Sequence, residues 1–150
     1  MSDLNLFERE HARLDDLLRA HLLDVAGADF VQAQTGFETW LAATQRHIEI
    51  EESQLFAAIP QGARWQAKVY TLEHARIVKL AQAYAEKLAR VVAQPPQSAR
   101  GARVATLMLI DAAHTLRHVL EHHHLREEDA LAHELPAELQ ARVWAGGATA

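Results

Sequence analysis

The sequence predicts an all-α protein: an up-down-up-down four-helix bundle with a possible short fifth helix at its C-terminal end. Three observations carry this. The 150 residues are 49% hydrophobic and 23% charged, enough apolar material for one buried core and too little length for a second domain. Ala, Leu, Glu, Arg and Gln, all good helix formers, make up much of the chain. The helix breakers are few and grouped, at Gly27-Ala28-Asp29, Pro60-Gln61-Gly62, Gln94-Pro95-Pro96-Gln97-Ser98 and Leu135-Pro136.

Between these breaks lie four long stretches with a 3.6-residue apolar period, over roughly 3–26, 30–58, 64–93 and 99–134. Asp29 and Ser98 stand where N-caps of the second and fourth helices belong, and Pro60 ends the second. Short connections favour antiparallel neighbours, hence the up-down order. The single domain is expected over 1–144, with 145–150 a disordered tail. The inward stripe of the first helix reads Phe7, His11, Leu14, Leu18, Leu22, Val25. The second gives Phe37, Trp40, Leu41, Thr44, His47, Ile48, Glu51, Leu55, Ile59. The third gives Tyr70, His74, Ile77, Val78, Ala81, Ala85, Leu88, Val92, and the fourth Leu109, Ala112, Leu116, Val119, Leu120, His123, Glu127, Leu131.

Composition removes several function classes. A net charge of −5 without a basic stripe argues against nucleic acid and against attraction to a membrane surface. Without cysteine there is no disulfide framework, no thiolate zinc site and no iron–sulfur cluster, so a metal would sit on nitrogen and oxygen. The N-terminal residues are acidic and carry no apolar run, which points to the cytoplasm.

Ten histidines against fifteen lysines and arginines is a high ratio, and every inner stripe contains at least one. At about 1.5 Å per residue, His11, His74, His47 and His123 fall at heights of about 12–16 Å in an up-down bundle, and Glu51 and Glu127 at about 10 Å. Six ionisable groups from four helices thus converge in one slab of core. Unpartnered, each would be costly to bury; metal ions remove the conflict. Imidazoles with carboxylates suit Fe, Mn, Zn or Co, and two carboxylates able to bridge favour a pair of ions. His47-x-x-x-Glu51-Glu52 and His123-x-x-x-Glu127-Glu128 also repeat one pattern, with each His and Glu one turn apart on a single face.

Over roughly residues 4–135 these motifs resemble the hemerythrin-like, or HHE cation-binding, family. His11, His47 with Glu51, His74, and His123 with Glu127 follow that family's order, and Glu10-His11-Ala12-Arg13-Leu14 and Glu73-His74-Ala75-Arg76-Ile77 look like its first- and third-helix signatures. The resemblance implies two non-haem, carboxylate-bridged iron ions with an open position for dioxygen or another small diatomic. Two departures matter. Oxygen carriers of the family have a second His one turn from the first on the third helix, where this chain has Tyr70 and Val78; Tyr70 is therefore either a phenolate ligand, a second-sphere group or a plain core aromatic. On the fourth helix the carriers place their acid five residues after His, at Glu128 here; helical phase favours Glu127 and a local bulge would favour Glu128.

The expected function is binding of dioxygen or nitric oxide at a diiron centre for sensing, storage or scavenging, with zinc or manganese as other possible metals. The alternatives are a redox enzyme consuming peroxide or nitric oxide at the same centre, and an iron-responsive interaction module. Other histidines read as structural: His21 lies too far up the bundle, and His114, His118 and His122 form an outward ladder. A rival ferritin-like pairing of Glu8 with His11 and Glu121 with His124 would turn His123 and Glu127 away from the core.

Overall fold

The computed structural model describes residues 5–145, all of whose regular structure is helical. Four long helices, α1 (Leu6–Ala26), α2 (Phe30–Ile50), α3 (Ala67–Ala93) and α4 (Ala99–Arg126), are followed by the short α5 (Ala132–Glu134) and α6 (Ala137–Gln140). Each long helix packs on the next, and α4 packs back on α1. No described helix is long and apolar enough to cross a membrane.

Local chemistry explains the helix ends. Asn5 accepts from the Glu8 amide at 2.8 Å while its own amide group donates to the Glu8 carboxylate at 3.0 Å, a reciprocal cap on α1. Asp29 accepts from the Gln32 amide, and Ser98 Oγ from the Gly101 amide at 2.9 Å, the two capping roles that the sequence suggests. At its C-terminus α1 closes with the Asp29 amide on the Asp24 carbonyl and the Ala28 amide on the Val25 carbonyl. This places Ala28, not a glycine, at a left-handed φ of 57°.

Two of the expected helices are interrupted. The stretch 30–58 leaves α-geometry at Glu51 for a π turn, Glu51–Leu55, then a 3-10 turn, Phe56–Ala58; the stretch 99–134 does the same at Glu127, through a π turn Glu127–Leu131. One extra residue per turn leaves composition and propensity unchanged, so a 3.6-residue period runs straight through both. The third helix starts at Ala67, after a connection in which Gln66 Nε2 donates to the carbonyls of Pro60 and Gln61. The expected fifth helix is α6, with a further π turn at Ala141–Ala145. Of the expected tail, 146–150 lie outside the described residues.

Burial falls into two apolar clusters. One joins Leu18, Trp40, Ile77 and Leu120 to the residues around them; the other joins Phe7, Leu55, Phe56, Tyr70, Leu131, Leu135 and Trp144. Leu22, Leu41, Ala85, Val92, Ala112 and Val119 pack only at the margin of the first, Val78 is half-buried outside it, and Tyr84 and Val91 join its interior. Along the chain His11, His47, His74 and His123 each stand between a residue of one cluster and a residue of the other. A polar layer thus lies across the middle of an apolar core.

Candidate metal centre

The layer is built from both ends of each half. His11 on α1 and His74 on α3 face inward one turn after Phe7 and Tyr70; His47 on α2 and His123 on α4 stand one turn before Glu51 and Glu127, the first residues of the two π turns. All six side chains are buried, and both carboxylates are fully so.

Each histidine turns Nε2 inward. His11 Nε2 lies 3.0 Å from Glu127, His47 Nε2 3.3 Å from Glu51, His123 Nε2 3.3 Å from Glu127, and His74 Nε2 3.2 Å from Glu51 and 3.7 Å from Glu127. Most of these approaches are close without being aligned as hydrogen bonds: both Glu51 oxygens, Glu127 Oε2 and the Nε2 atoms of His47 and His74 have no hydrogen-bond partner. Two sets of ligand atoms gather within 4.8 Å of one another, His11 with His47, Glu51 and Glu127, and Glu51 with His74, His123 and Glu127. The sets share Glu51 and Glu127. Two histidines apiece and two common carboxylates make adjoining N2O2 sites, and buried lone pairs without partners are what a cation would satisfy.

The outward Nδ1 atoms are mostly anchored. Glu128 holds His11 at 2.7 Å, Glu52 holds His74 at 2.7 Å, and Glu73 holds His123 at 3.0 Å while taking a second bond from Arg126 Nε at 3.0 Å. A carboxylate on Nδ1 fixes the ring and leaves Nε2 as the metal-facing atom. His47 Nδ1 is buried and has no partner. Instead its ring stacks on Trp144, centroids 4.7 Å apart.

Protons balance this charge when the side chains act alone. Burial opposes protonation of His11, but its bonds to Glu127 and Glu128 outweigh it and push the pKa up to about 10. His74, also against burial, is raised to about 10 by Glu127 and Glu51, and His123 to about 9, chiefly by Glu127. Glu127 is the converse: burial favours its neutral form, yet His123, His11 and His74 hold it well below the usual carboxylate range. An imidazole ligand is neutral, so binding metal here would release protons.

Glu128 bonds to His11 Nδ1 and belongs to neither ligand set, although the bulge that would favour it is present. Tyr70 is fully buried with an unpartnered hydroxyl and packs against Phe56. Burial and the nearby carboxylates, Glu134 first, raise its pKa, so the phenol is neutral. Of the rival pairing, Glu8 is bound to Asn5 and Glu121 is exposed. His21 sits elsewhere, bonded to Ala33 O and Tyr84. Sequence reasoning weighed His124 only in the rival pairing and missed its place beside His11: it stacks on that ring with centroids 4.0 Å apart and lines a cleft of about 650 Å³ between α1 and α4, with Asp15 and Glu128. Burial and the neighbouring His11 hold His124 well below the ordinary histidine value, so it is neutral.

Fold and layer together define an all-helical protein with buried His/Glu groups able to hold metal ions. In comparisons with protein-family models, curated proteins and solved structures, nothing matches this chain.

Proposed function

We propose that the chain is a hemerythrin-like, non-haem diiron protein that binds dioxygen or nitric oxide for sensing, storage or scavenging in the cytoplasm. The observation that carries this is the pair of N2O2 ligand sets sharing Glu51 and Glu127, since two shared carboxylates are what a bridged metal pair requires. The proposed architecture is up-down-up-down. It is supported by the order along the chain: α1 and α3 run from the Phe7–Tyr70 cluster towards the Leu18–Ile77 cluster, and α2 and α4 run back.

In this reading Glu51 and Glu127 would be ligands common to two ions, of which His11 and His47 would hold one and His74 and His123 the other. Glu128, Glu52 and Glu73 keep three rings in register. An iron pair would supply reversible redox chemistry towards small diatomics. Two apolar clusters flank the layer, and the cleft lined by His124 and Glu128 reaches the residues that touch His11 from outside. Zinc or manganese fits the donors as well, so metal identity decides between redox and structural roles.

A second reading, consumption of peroxide or nitric oxide at the same centre, draws on the cleft between α1 and α4, whose lining residues His124 and Glu128 both touch His11. Elemental analysis of protein purified without added metal, with absorption spectra in air and under nitric oxide, tests the proposal. About two irons per chain with spectra that change reversibly support ligand binding; steady turnover supports the second reading. Protein that takes up no metal after anaerobic loading with ferrous ion would overturn both.

A further inference from the structure

The centre is assembled from two copies of one pattern. Glu10-His11-Ala12-Arg13 on α1 corresponds to Glu73-His74-Ala75-Arg76 on α3, and His47-x-x-x-Glu51-Glu52 to His123-x-x-x-Glu127-Glu128. The contacts repeat with the sequence. Glu52 on His74 Nδ1 matches Glu128 on His11 Nδ1, both at 2.7 Å, and the two π turns start at equivalent glutamates. One contact has no counterpart. Glu73 accepts from His123 Nδ1, so the equivalent acceptor for His47 Nδ1 is Glu10; that carboxylate instead accepts from Arg13 at 3.0 Å, and His47 Nδ1 is buried without a partner. On α4 Arg126 holds Glu73 towards His123, whereas the equivalent position on α2 is Ile50. Glu10, Arg13 and His47 line one cavity of about 240 Å³ beside Trp144, and Arg13 is more than half exposed.

Resting on the diiron reading, we propose that Glu10 is the positioning residue for His47. It exchanges Arg13 for His47 Nδ1–H when the His11/His47 position is filled, and because this anchor must first be broken, that position is the weaker of the two. The geometry otherwise leaves a ligating imidazole with a buried donor and no acceptor, alone among the four.

The test is anaerobic titration of the full chain with zinc ion against a competing chelator, with imidazole 1H–15N spectra of the loaded protein. The parent is expected to bind two ions in separable steps. Glu10→Ala should weaken the second step about ten- to a hundredfold and leave the first, while Glu73→Ala weakens the first. Glu10→Gln, which keeps an acceptor, should recover part of the loss and the slowly exchanging His47 Nδ1–H signal. Arg13→Gln, which frees Glu10, should tighten the second step or leave it unchanged. Two steps unaltered in Glu10→Ala, or an equal weakening of both, would overturn the role of Glu10 while leaving the metal pair intact. Loss in Arg13→Gln as large as in Glu10→Ala would reduce Glu10–Arg13 to a structural pair and overturn it too. A parent that binds no zinc and no ferrous ion overturns the diiron reading, and this proposal with it.

Discussion

At the scale of single residues, the two shared carboxylates and the terminal histidines should behave differently. Glu51 and Glu127 each belong to both ligand sets, whereas His47 and His123 each belong to one. Glu127→Gln is therefore expected to empty both positions and His47→Ala only one, read as metal per chain by elemental analysis; equal losses would show that the sets are not shared. His21 offers a second residue-level prediction, away from the centre. It is fully buried, its Nδ1–H donates to Ala33 O, which can only accept, and its Nε2 accepts from the Tyr84 hydroxyl, both at 2.6 Å. Burial lowers its pKa below 6.5, with Ala33 O and Asp24 pulling weakly the other way. The unfolded chain thus takes up a proton near pH 6.5 that the folded chain refuses until lower pH, so this contribution is complete above that value and lost as pH falls through the window below it. Melting temperatures of the parent and of His21→Asn should draw together as pH falls from about 7.5 to about 5.5. A difference independent of pH would mean that His21 is not held neutral in the fold.

At the scale of elements, most of the helices were legible and their irregularities were not. Caps at Asp29 and Ser98 and the stop after Ile59 follow from side-chain chemistry that acts within a few residues. The six inward ionisable groups were legible because the same helical phase that buries leucines buries them. The π turns at Glu51 and Glu127 leave no mark on helix propensity or period, and only the one on the fourth helix entered the sequence reading, as an alternative that would favour Glu128. Nor could periodicity place Trp144 on His47 or His124 on His11, contacts made by a C-terminal segment and by the residue beside a stripe. The end of α1 gives a testable mismatch between sequence and geometry. Its left-handed position is held by Ala28, while Gly27, one residue earlier, has an ordinary φ of −83°, and a Cβ there would make normal contacts at 3.6 Å. The double substitution Gly27→Ala with Ala28→Gly should raise unfolding stability by about 1–2 kcal/mol in urea denaturation, without altering metal content. A loss of stability would mean that the α1–α2 turn is not formed as described.

At the scale of the whole molecule, the chain divides its stability between two unlike regions. The Leu18–Trp40–Leu120 cluster is apolar apart from the internally bonded His21–Tyr84 pair and sustains itself by burial. The layer of His11, His47, Glu51, His74, His123 and Glu127 brings ionisable groups from all four long helices into a place without water, where charge is balanced by protons or by metal. Whatever binds there ties α1, α2, α3 and α4 together at one level, and its binding energy adds to folding: about 2.7 kcal/mol at a free-ion concentration a hundred times Kd. The gain should be local as well as global. On loading with ferrous or zinc ion, amide hydrogen exchange should slow most over residues 44–56, 70–78 and 120–131, and in the Val143–Trp144 segment that covers His47. Exchange in the middle of the Phe30–Trp40 stretch, remote from the layer, should slow only as far as it proceeds by global unfolding. Uniform slowing of every amide would mean that the ion stabilises the chain without binding in the layer. No change anywhere would mean that the buried carboxylates keep their protonated partners in preference to metal.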